Sequence, residues 1–313
     1  MTHTGPSPEH FPSTPPRAEE LDGGGGLPPV TPTAPGDRTG GFSASAPGDE
    51  GKEDQEWALV LEGLVKRYGS FTAVKGLELK VPRGRIFGFL GPNGAGKTTT
   101  IRMISGILQP TEGRVEIGGH DLATDPAGAK ARIGYIPDRP FLYEKLSGAE
   151  FLRFVAALWG REGSEVEERV DRFLELFSLT PWKHELLESY SHGMRQKLLI
   201  SSALIHDPQL VVVDEPMVGL DPRSARILKD LLRSFVERGG TVFLSTHTLE
   251  VAEALCDQIA IIAEGKIIAR GTMEELRTQA GAGGAHLEEI FLKVTGGEEM
   301  AQVVASLRGV LDG

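Results

Sequence analysis

Gly91-Pro92-Asn93-Gly94-Ala95-Gly96-Lys97-Thr98-Thr99 stands between an apolar run, Arg85 to Leu90, and a helix-like segment, Thr98 to Leu108. Strand, glycine loop and helix in that order are what a phosphate-binding loop requires, and the spacing fits G-x-x-x-x-G-K-[ST]. In such a loop the backbone N–H groups of the turn, here Gly91 and Asn93 to Gly96, aim at phosphate oxygens. Lys97 then reaches the β/γ-phosphates and Thr98 holds Mg²⁺. The helix that follows, with Thr99 in its first turn, adds the positive end of its dipole to the same anion site. The plain alternative is a glycine-rich turn that merely joins a strand to a helix. It leaves the Lys97-Thr98 offset and the matching flanks unexplained.

Working outward, Trp57 to Lys66 reads as a strand with Leu59, Leu61 and Leu64 on one side, and Thr72 to Val81 as its partner across a Tyr68-Gly69-Ser70 turn. Together they predict a small antiparallel sheet. Gly113 to Ile117 and Arg132 to Ile136 read as further short strands. From about 147 to 190 the pattern is helical. Ser147 with Glu150, and Ser164 with Glu167, match the capping box, in which a serine accepts from an early N–H and a glutamate reaches back. Phe151, Phe154, Val155 and Leu158 share one helical face, and Val166, Val170, Phe173, Leu174 and Phe177 another. Leu210 to Asp214 and Thr241 to Ser245 are continuous apolar runs of the kind buried on both faces of a parallel sheet. Asp221-Pro222 reads as a helix N-cap with proline at the first helical position. Gln258 to Ala263 and Lys266 to Arg270 form a hairpin around Glu264-Gly265, and Thr272 with Glu275 opens another helix. The alternation predicts an α/β fold: a phosphate-loop NTPase core with a mainly parallel sheet, a small antiparallel β subdomain and a helical insertion.

Among the 313 residues, 1–54 are rich in Pro, Gly, Ser and Thr, carry an acidic cluster, and show no sustained apolar periodicity. A disordered tail is the expectation there. Residues 55–280 make the predicted phosphate-loop domain, and 281–313 a helical C-terminal extension with an apolar stripe of Met300, Val303, Val304, Leu307 and Val310. A net charge of -11, from 33 basic and 44 acidic residues, argues against broad nucleic-acid binding. The lone Cys256 excludes an intramolecular disulfide and suits a reducing compartment. No apolar run approaches the roughly 18 residues of a membrane helix, and the start lacks a signal-peptide layout. The expectation is a chain that does not itself span a membrane.

Leu210-Val211-Val212-Val213-Asp214-Glu215-Pro216 is an apolar strand ending in two carboxylates, placed to face the glycine loop across the carboxyl edge of the sheet. Asp214 is the candidate to support Mg²⁺. Glu215 is the candidate to polarise an attacking water, since a base must lie within hydrogen-bond reach of its proton. His247 follows Ser245-Thr246 at the end of the next apolar run, where a neutral imidazole bonds the γ-phosphate and the water together.

These motifs, in this order, resemble an ABC transporter ATP-binding subunit over roughly Leu59 to Thr295. The resemblance implies an ATPase that binds ATP and Mg²⁺ and works as a head-to-tail dimer. Each ATP is then held by the Gly91 to Thr99 loop of one protomer and the signature sequence of the other. That signature maps to Tyr190-Ser191-His192-Gly193-Met194, where Ser191 and Gly193 keep the hydroxyl and the close backbone approach, whereas Tyr190, His192 and Met194 depart from Leu-Ser-Gly-Gly-Gln. Asp138 stands where the family usually has a glutamine, and its carboxylate can bind Mg²⁺ or a metal-bound water. Tyr68 matches the aromatic that stacks on adenine. Gly219-Leu220-Asp221 matches the loop that touches the opposite protomer, so Asp221 is either that contact, the N-cap above, or both. The stretch Gly134 to Leu146 resembles the bacterial exporter-type branch. The resemblance further implies membrane permease subunits as partners and a peripheral place on the cytoplasmic side of the membrane. Two other readings stay open on the sequence: a soluble ABC-type ATPase acting on a non-membrane partner, and a nucleotide-gated scaffold with negligible hydrolysis.

Overall fold

The computed structural model describes residues 56–138, 141–215, 217, 220–279, 281 and 286–295. The expected disordered tail and the apolar stripe from Met300 to Val310 lie outside the described residues, as does Gly219. In chain order the elements are β1 (Trp57–Tyr68), β2 (Phe71–Pro82), β3 (Ile86–Leu90), α1 (Lys97–Ile104), β4 (Glu112–Ile117), β5 (His120–Asp121), α2 (Pro126–Lys130) and β6 (Ile133–Ile136). Then come α3 (Gly148–Leu158), α4 (Ser164–Leu176), α5 (His192–Leu204), β7 (Leu210–Asp214), α6 (Pro222–Glu237), β8 (Thr241–Thr246), α7 (Leu249–Leu255), β9 (Gln258–Ala263), β10 (Lys266–Gly271), α8 (Met273–Gln279) and α9 (Leu287–Val294).

Two sheets result. One has the order β2-β1-β4-β5 and is antiparallel; the other has the order β10-β9-β3-β8-β7-β6 and is parallel from β9 to β6. The sequence announces β4 and β6 only as short strands. The structure sends β4 to the antiparallel sheet and β6 to the edge of the parallel one, because each finds its partner across a large sequence separation. β3, β7 and β8 are buried along their whole length, as continuous apolar runs in a two-sided sheet demand. Phe87 and Phe89 of β3 alternate onto one face and meet Phe243 of β8, with ring centroids 6.0 and 5.3 Å apart. Burying each such ring contributes about 1.5–3 kcal/mol.

The helix ends show where local signals hold. Ser147 and Glu150 form the expected capping box at α3, and Thr272 and Glu275 exchange the same pair of bonds ahead of α8. Ser164 and Glu167 do not. Gly163, at φ 95°, precedes α4 with no side-chain cap, and Glu167 instead binds Arg153 of α3 through both oxygens, at 2.6 and 2.8 Å. A bidentate guanidinium pair is a stronger use of that carboxylate than one backbone N–H. The helix expected over Thr98 to Leu108 ends at Ile104, since Gly106 turns left-handed (φ 66°) and Ile107 N–H donates back to the Arg102 carbonyl at 3.0 Å. That is the glycine-terminated C-cap. The apolar face expected on α3 is also displaced. Ala149, Phe151, Leu152 and Ala156 are buried, whereas Phe154 and Leu158 are 38% and 67% exposed.

Candidate nucleotide site

The glycine loop leaves the carboxyl end of β3 and enters α1, as the sequence predicts. A Cβ on Gly91 would lie 2.2 Å from the Ile262 carbonyl oxygen of β9, and one on Gly96, at φ 106°, 2.7 Å from the Ala73 carbonyl oxygen. Both positions therefore require glycine for close backbone approach. Gly96 is also the N-cap of α1 and offers no side-chain cap, and the first turn carries no acidic residue. The N–H groups there are left for an anion. Asn93, Gly94 and Thr98 are exposed, Gly96 and Thr99 half-buried, and Ala95 buried, its N–H donating to the Pro92 carbonyl at 3.2 Å. Lys97 is buried, and its Nζ donates to the Gly91 and Pro92 carbonyls at 2.6 and 3.1 Å, so the ammonium lies on its own loop. Burial lowers its pKa below the ordinary lysine value, opposed by the charges of Glu215 and Asp214.

β7 and β8 run in parallel register with Asp214 opposite Ser245, and this sets which side chains meet at the carboxyl edge of the sheet. Ser245 Oγ donates to Asp214 Oδ1 at 2.7 Å, with both residues buried. Burial raises the Asp214 pKa, the Ser245 hydroxyl opposes it, and the Asp138 and Glu215 charges push it further up. Glu215 takes a left-handed backbone (φ 51°), a strained conformation for a residue with a side chain and one that recurs at functional sites. Its Oε2 accepts from Thr246 Oγ1 at 3.2 Å and its Oε1 lies 2.7 Å from Nδ1 of His247. Glu215 is mostly buried and His247 exposed, so the imidazole reaches inward from the rim. Ser245 and Thr246 are site residues that the motifs do not mark. Their signal in the sequence is two hydroxyl residues in the same strand-end position as the two carboxylates.

Asp138 is exposed two residues beyond β6, and its charge acts on both Asp214 and Tyr135. Burial first, then the charges of Asp214 and Asp138, pushes the Tyr135 hydroxyl up to about 12. Tyr135 is a further residue that the sequence did not single out. Tyr68 ends β1 half-exposed, with Lys66 Nζ 5.5 Å from its ring centroid and held by the Gln109 carbonyl at 2.8 Å. Ser191 caps α5, accepting from Met194 N–H at 3.3 Å, with Gly193 in the first turn. Among the described residues no hydrogen bond or ion pair joins Ser191 to the glycine loop. Asp221 is the N-cap of α6: Oδ1 accepts from Ser224 N–H at 2.9 Å and Oδ2 from Ser224 Oγ at 2.6 Å. Those bonds, the hydroxyl first, hold its carboxyl well below the usual range, and Lys197 of α5 adds an ion pair at 3.4 Å. The N-cap role of Asp221 is thus present in the structure.

The loop's open N–H groups, its glycine clearances and the neighbouring hard oxygens of Thr98 and Asp214 suit a nucleoside triphosphate with Mg²⁺. No group of three or more His, Cys, Asp or Glu among the described residues could cage a metal alone. Mg²⁺ is bound through one or two carboxylates beside phosphate and water, so it needs no such cage.

Comparison with known proteins agrees with this geometry. The profile described as ABC transporter matches residues 74–218. The daunorubicin resistance ATP-binding protein DrrA3 of Streptomyces coeruleorubidus is 40% identical over 224 residues, covering 72% of this chain and 71% of that protein. The linearmycin resistance ATP-binding protein LnrL of Bacillus subtilis is 39% identical, covering 71% and 72% respectively. A solved structure described as an ATP binding subunit of an ABC transporter superposes with a TM-score of 0.73 at 34% identity, covering 76% of this chain and 99% of its own. Relatives named for drug resistance accord with the exporter-type resemblance. The chain belongs to the family of ABC transporter ATP-binding proteins.

Proposed function

We propose that this chain hydrolyses ATP as a subunit that powers a separate membrane permease of the exporter type, working as a head-to-tail dimer on the cytoplasmic face of the membrane. The observation that carries the proposal is the Glu215 carboxylate. It is held by His247 and Thr246 at the sheet edge, beside buried Asp214 and Lys97. Glu215 accepts the proton of a water whose oxygen bonds to the γ-phosphorus as the bond to the β–γ bridging oxygen breaks, and His247 keeps that water and the γ-phosphate aligned. Lys97 leaves the Gly91 and Pro92 carbonyls to reach the phosphates. Mg²⁺, when bound by Thr98, Asp214 and Asp138, neutralises phosphate charge. Ser191 and Gly193 lie at the amino end of a helix whose first turn has no acidic residue, and from a second copy they complete the anion site. Catalysis is positioning and electrostatics, with no covalent intermediate.

Side chains that the fold leaves uncovered support a docking surface for the permease. Phe141 and Tyr143 are 94% and 62% exposed, and Tyr143 meets Phe154 edge to face at 5.3 Å, close to exposed Leu158 on the same helix. An apolar patch of this kind marks a docking site, and it begins just past Asp138. Affinity purification of the tagged chain from detergent-solubilised membranes is expected to recover a polytopic permease. Phe154→Ser with Leu158→Ser loses that partner while ATP affinity stays unchanged. Recovery of a soluble complex in place of a permease would overturn the transport reading. Tyr68→Ala is expected to weaken ATP and GTP alike by roughly 5- to 150-fold, because stacking is worth about 1–3 kcal/mol per base and does not distinguish bases. Equilibrium titration with both nucleotides checks this, and loss of ATP binding alone would show base-specific recognition instead.

A further inference from the structure

A cavity of about 630 Å³ opens between α4, the end of α5 and the end of α6. Its lining includes the residues that immediately precede β7 and β8, which puts it at the amino edge of the parallel sheet. The glycine loop and Glu215 occupy the opposite, carboxyl edge. The volume falls within the ~300–1,000 Å³ typical of small-ligand sites.

Its floor is apolar and already formed. Phe173 and Phe235 are half-buried, with Leu176 at the rim. A Cβ on Gly240 would stand 2.4 Å from Phe235 Cε1, so the ring rests on bare backbone. The mouth is cationic in a chain whose net charge is -11. Arg169, Arg172 and Arg238 line it against one carboxylate, Asp207. Arg169 donates to the Leu204 carbonyl at 2.8 Å and to Asp207 at 3.2 Å, yet its Nε is buried without a partner. Arg172 pairs with Glu168 at 3.1 Å between side chains that are 78% and 68% exposed, a contact that contributes little and exchanges readily. Arg238 Nε donates to the Ser234 carbonyl at 3.1 Å, and no carboxylate among the described residues lies within ion-pair distance of it.

Helix ends attract cations, and α5 and α6 both end here. That accounts for Arg169, which caps α5 through Leu204. It does not account for Arg172 on the outer surface of α4, nor for a half-buried aromatic floor in which the Phe173 ring lies 5.9 Å beneath the Arg169 guanidinium. Guanidinium groups favour carboxylate and phosphate through paired N–H donors.

We propose that this cavity binds an anionic amphiphile through one chain, with that aliphatic or aromatic body on Phe173, Leu176 and Phe235 and its carboxylate or phosphate at the arginine rim. Because the nucleotide binds at the opposite edge of the sheet, ATP and the amphiphile occupy the protein together.

The test is calorimetric titration of the full chain with sodium laurate, dodecyl maltoside and dodecyltrimethylammonium, each below its micelle concentration. Laurate is expected to bind saturably at one site, with the neutral and cationic amphiphiles at least about tenfold weaker, since charge-assisted hydrogen bonds select the anion. The double variant R172Q/R238Q loses about tenfold in laurate affinity through those same bonds, and Leu176→Trp, which fills the mouth, blocks binding. Both variants keep the ATP affinity of the parent, which also reports that they fold. Saturating ATP leaves the laurate isotherm unchanged. Sedimentation with phosphatidylglycerol vesicles, lost in the double variant, identifies a lipid as the source of the anion; laurate binding without sedimentation identifies a free amphiphile. Equal binding of all three amphiphiles, laurate affinity unmoved by the double variant, or the absence of saturable laurate binding overturns the proposal.

Discussion

Glu215→Gln is expected to bind ATP as tightly as the parent and to lose at least about a hundredfold in steady-state turnover, the usual weight of a general base being ~10²–10⁴-fold. The amide has nearly the shape of the carboxylate and still accepts from Thr246 Oγ1, which stands 3.2 Å from Oε2 in the parent, so the loop and the strand end keep their places. What changes is basicity: the amide cannot take the proton of an attacking water. Its single oxygen then faces Thr246, and its NH₂, in the place of Oε1 2.7 Å from His247 Nδ1, donates to that nitrogen of the neutral imidazole. If two copies close around ATP and open on hydrolysis, the variant accumulates as a nucleotide-loaded dimer, visible by size-exclusion chromatography in the presence of ATP and Mg²⁺. Unchanged turnover would remove Glu215 from the role of base. Lost turnover with no dimer would keep the base and discard the head-to-tail assembly.

Gly91→Ala tests the cradle itself. The added Cβ would meet the Ile262 carbonyl oxygen at 2.2 Å and Ile262 Cγ2 at 2.8 Å. Side-chain rotation cannot relieve the first of these contacts, because it is to a backbone atom of β9, which pairs with β3 through Leu90 and Ile261. Either the loop lifts or the strand pair shears. The substitution is expected to cost at least about 1–3 kcal/mol of stability, the range for overpacking a rigid site. ATP affinity falls as well, because the loop's N–H groups lose their common aim. Gly94→Ala is the contrast: at φ 80° it carries backbone strain of roughly 1–2 kcal/mol but meets nothing within 4 Å. Thermal unfolding and nucleotide titration of the two variants separate the effects. Parent-like behaviour of Gly91→Ala in both measurements would mean that β9 does not press on the loop.

Much of this site is legible in the sequence because its parts are local. Phosphate cradling needs a strand, a glycine turn and a helix start within a short stretch, and Gly91 to Thr99 contains them in order. Asp214-Glu215 and His247 stand out by position at the ends of two apolar runs. Their hydroxyl partners do not. Ser245 and Thr246 become meaningful only when β7 and β8 pair in register, which places one hydroxyl on each carboxylate. Lys97 illustrates the same limit: the motif says that it reaches phosphate, and the structure shows it resting on its own loop carbonyls.

By itself the sequence determined the glycine loop between β3 and α1, the buried central strands, the hairpin of β9 and β10, and the caps at Ser147, Asp221 and Thr272. Each of these depends on backbone geometry and side-chain reach within a few residues. Tertiary structure decided what distant partners compete for. It sent β4 and β6 to different sheets, gave Glu167 to Arg153 in place of its own helix start, left Phe154 and Leu158 uncovered, and gathered two arginines of α4 and Arg238, just past α6, around one cavity. A one-dimensional pattern records how apolar a face is. Which surface covers that face, or which charge claims a side chain, is settled only when segments far apart in sequence compete for the same space.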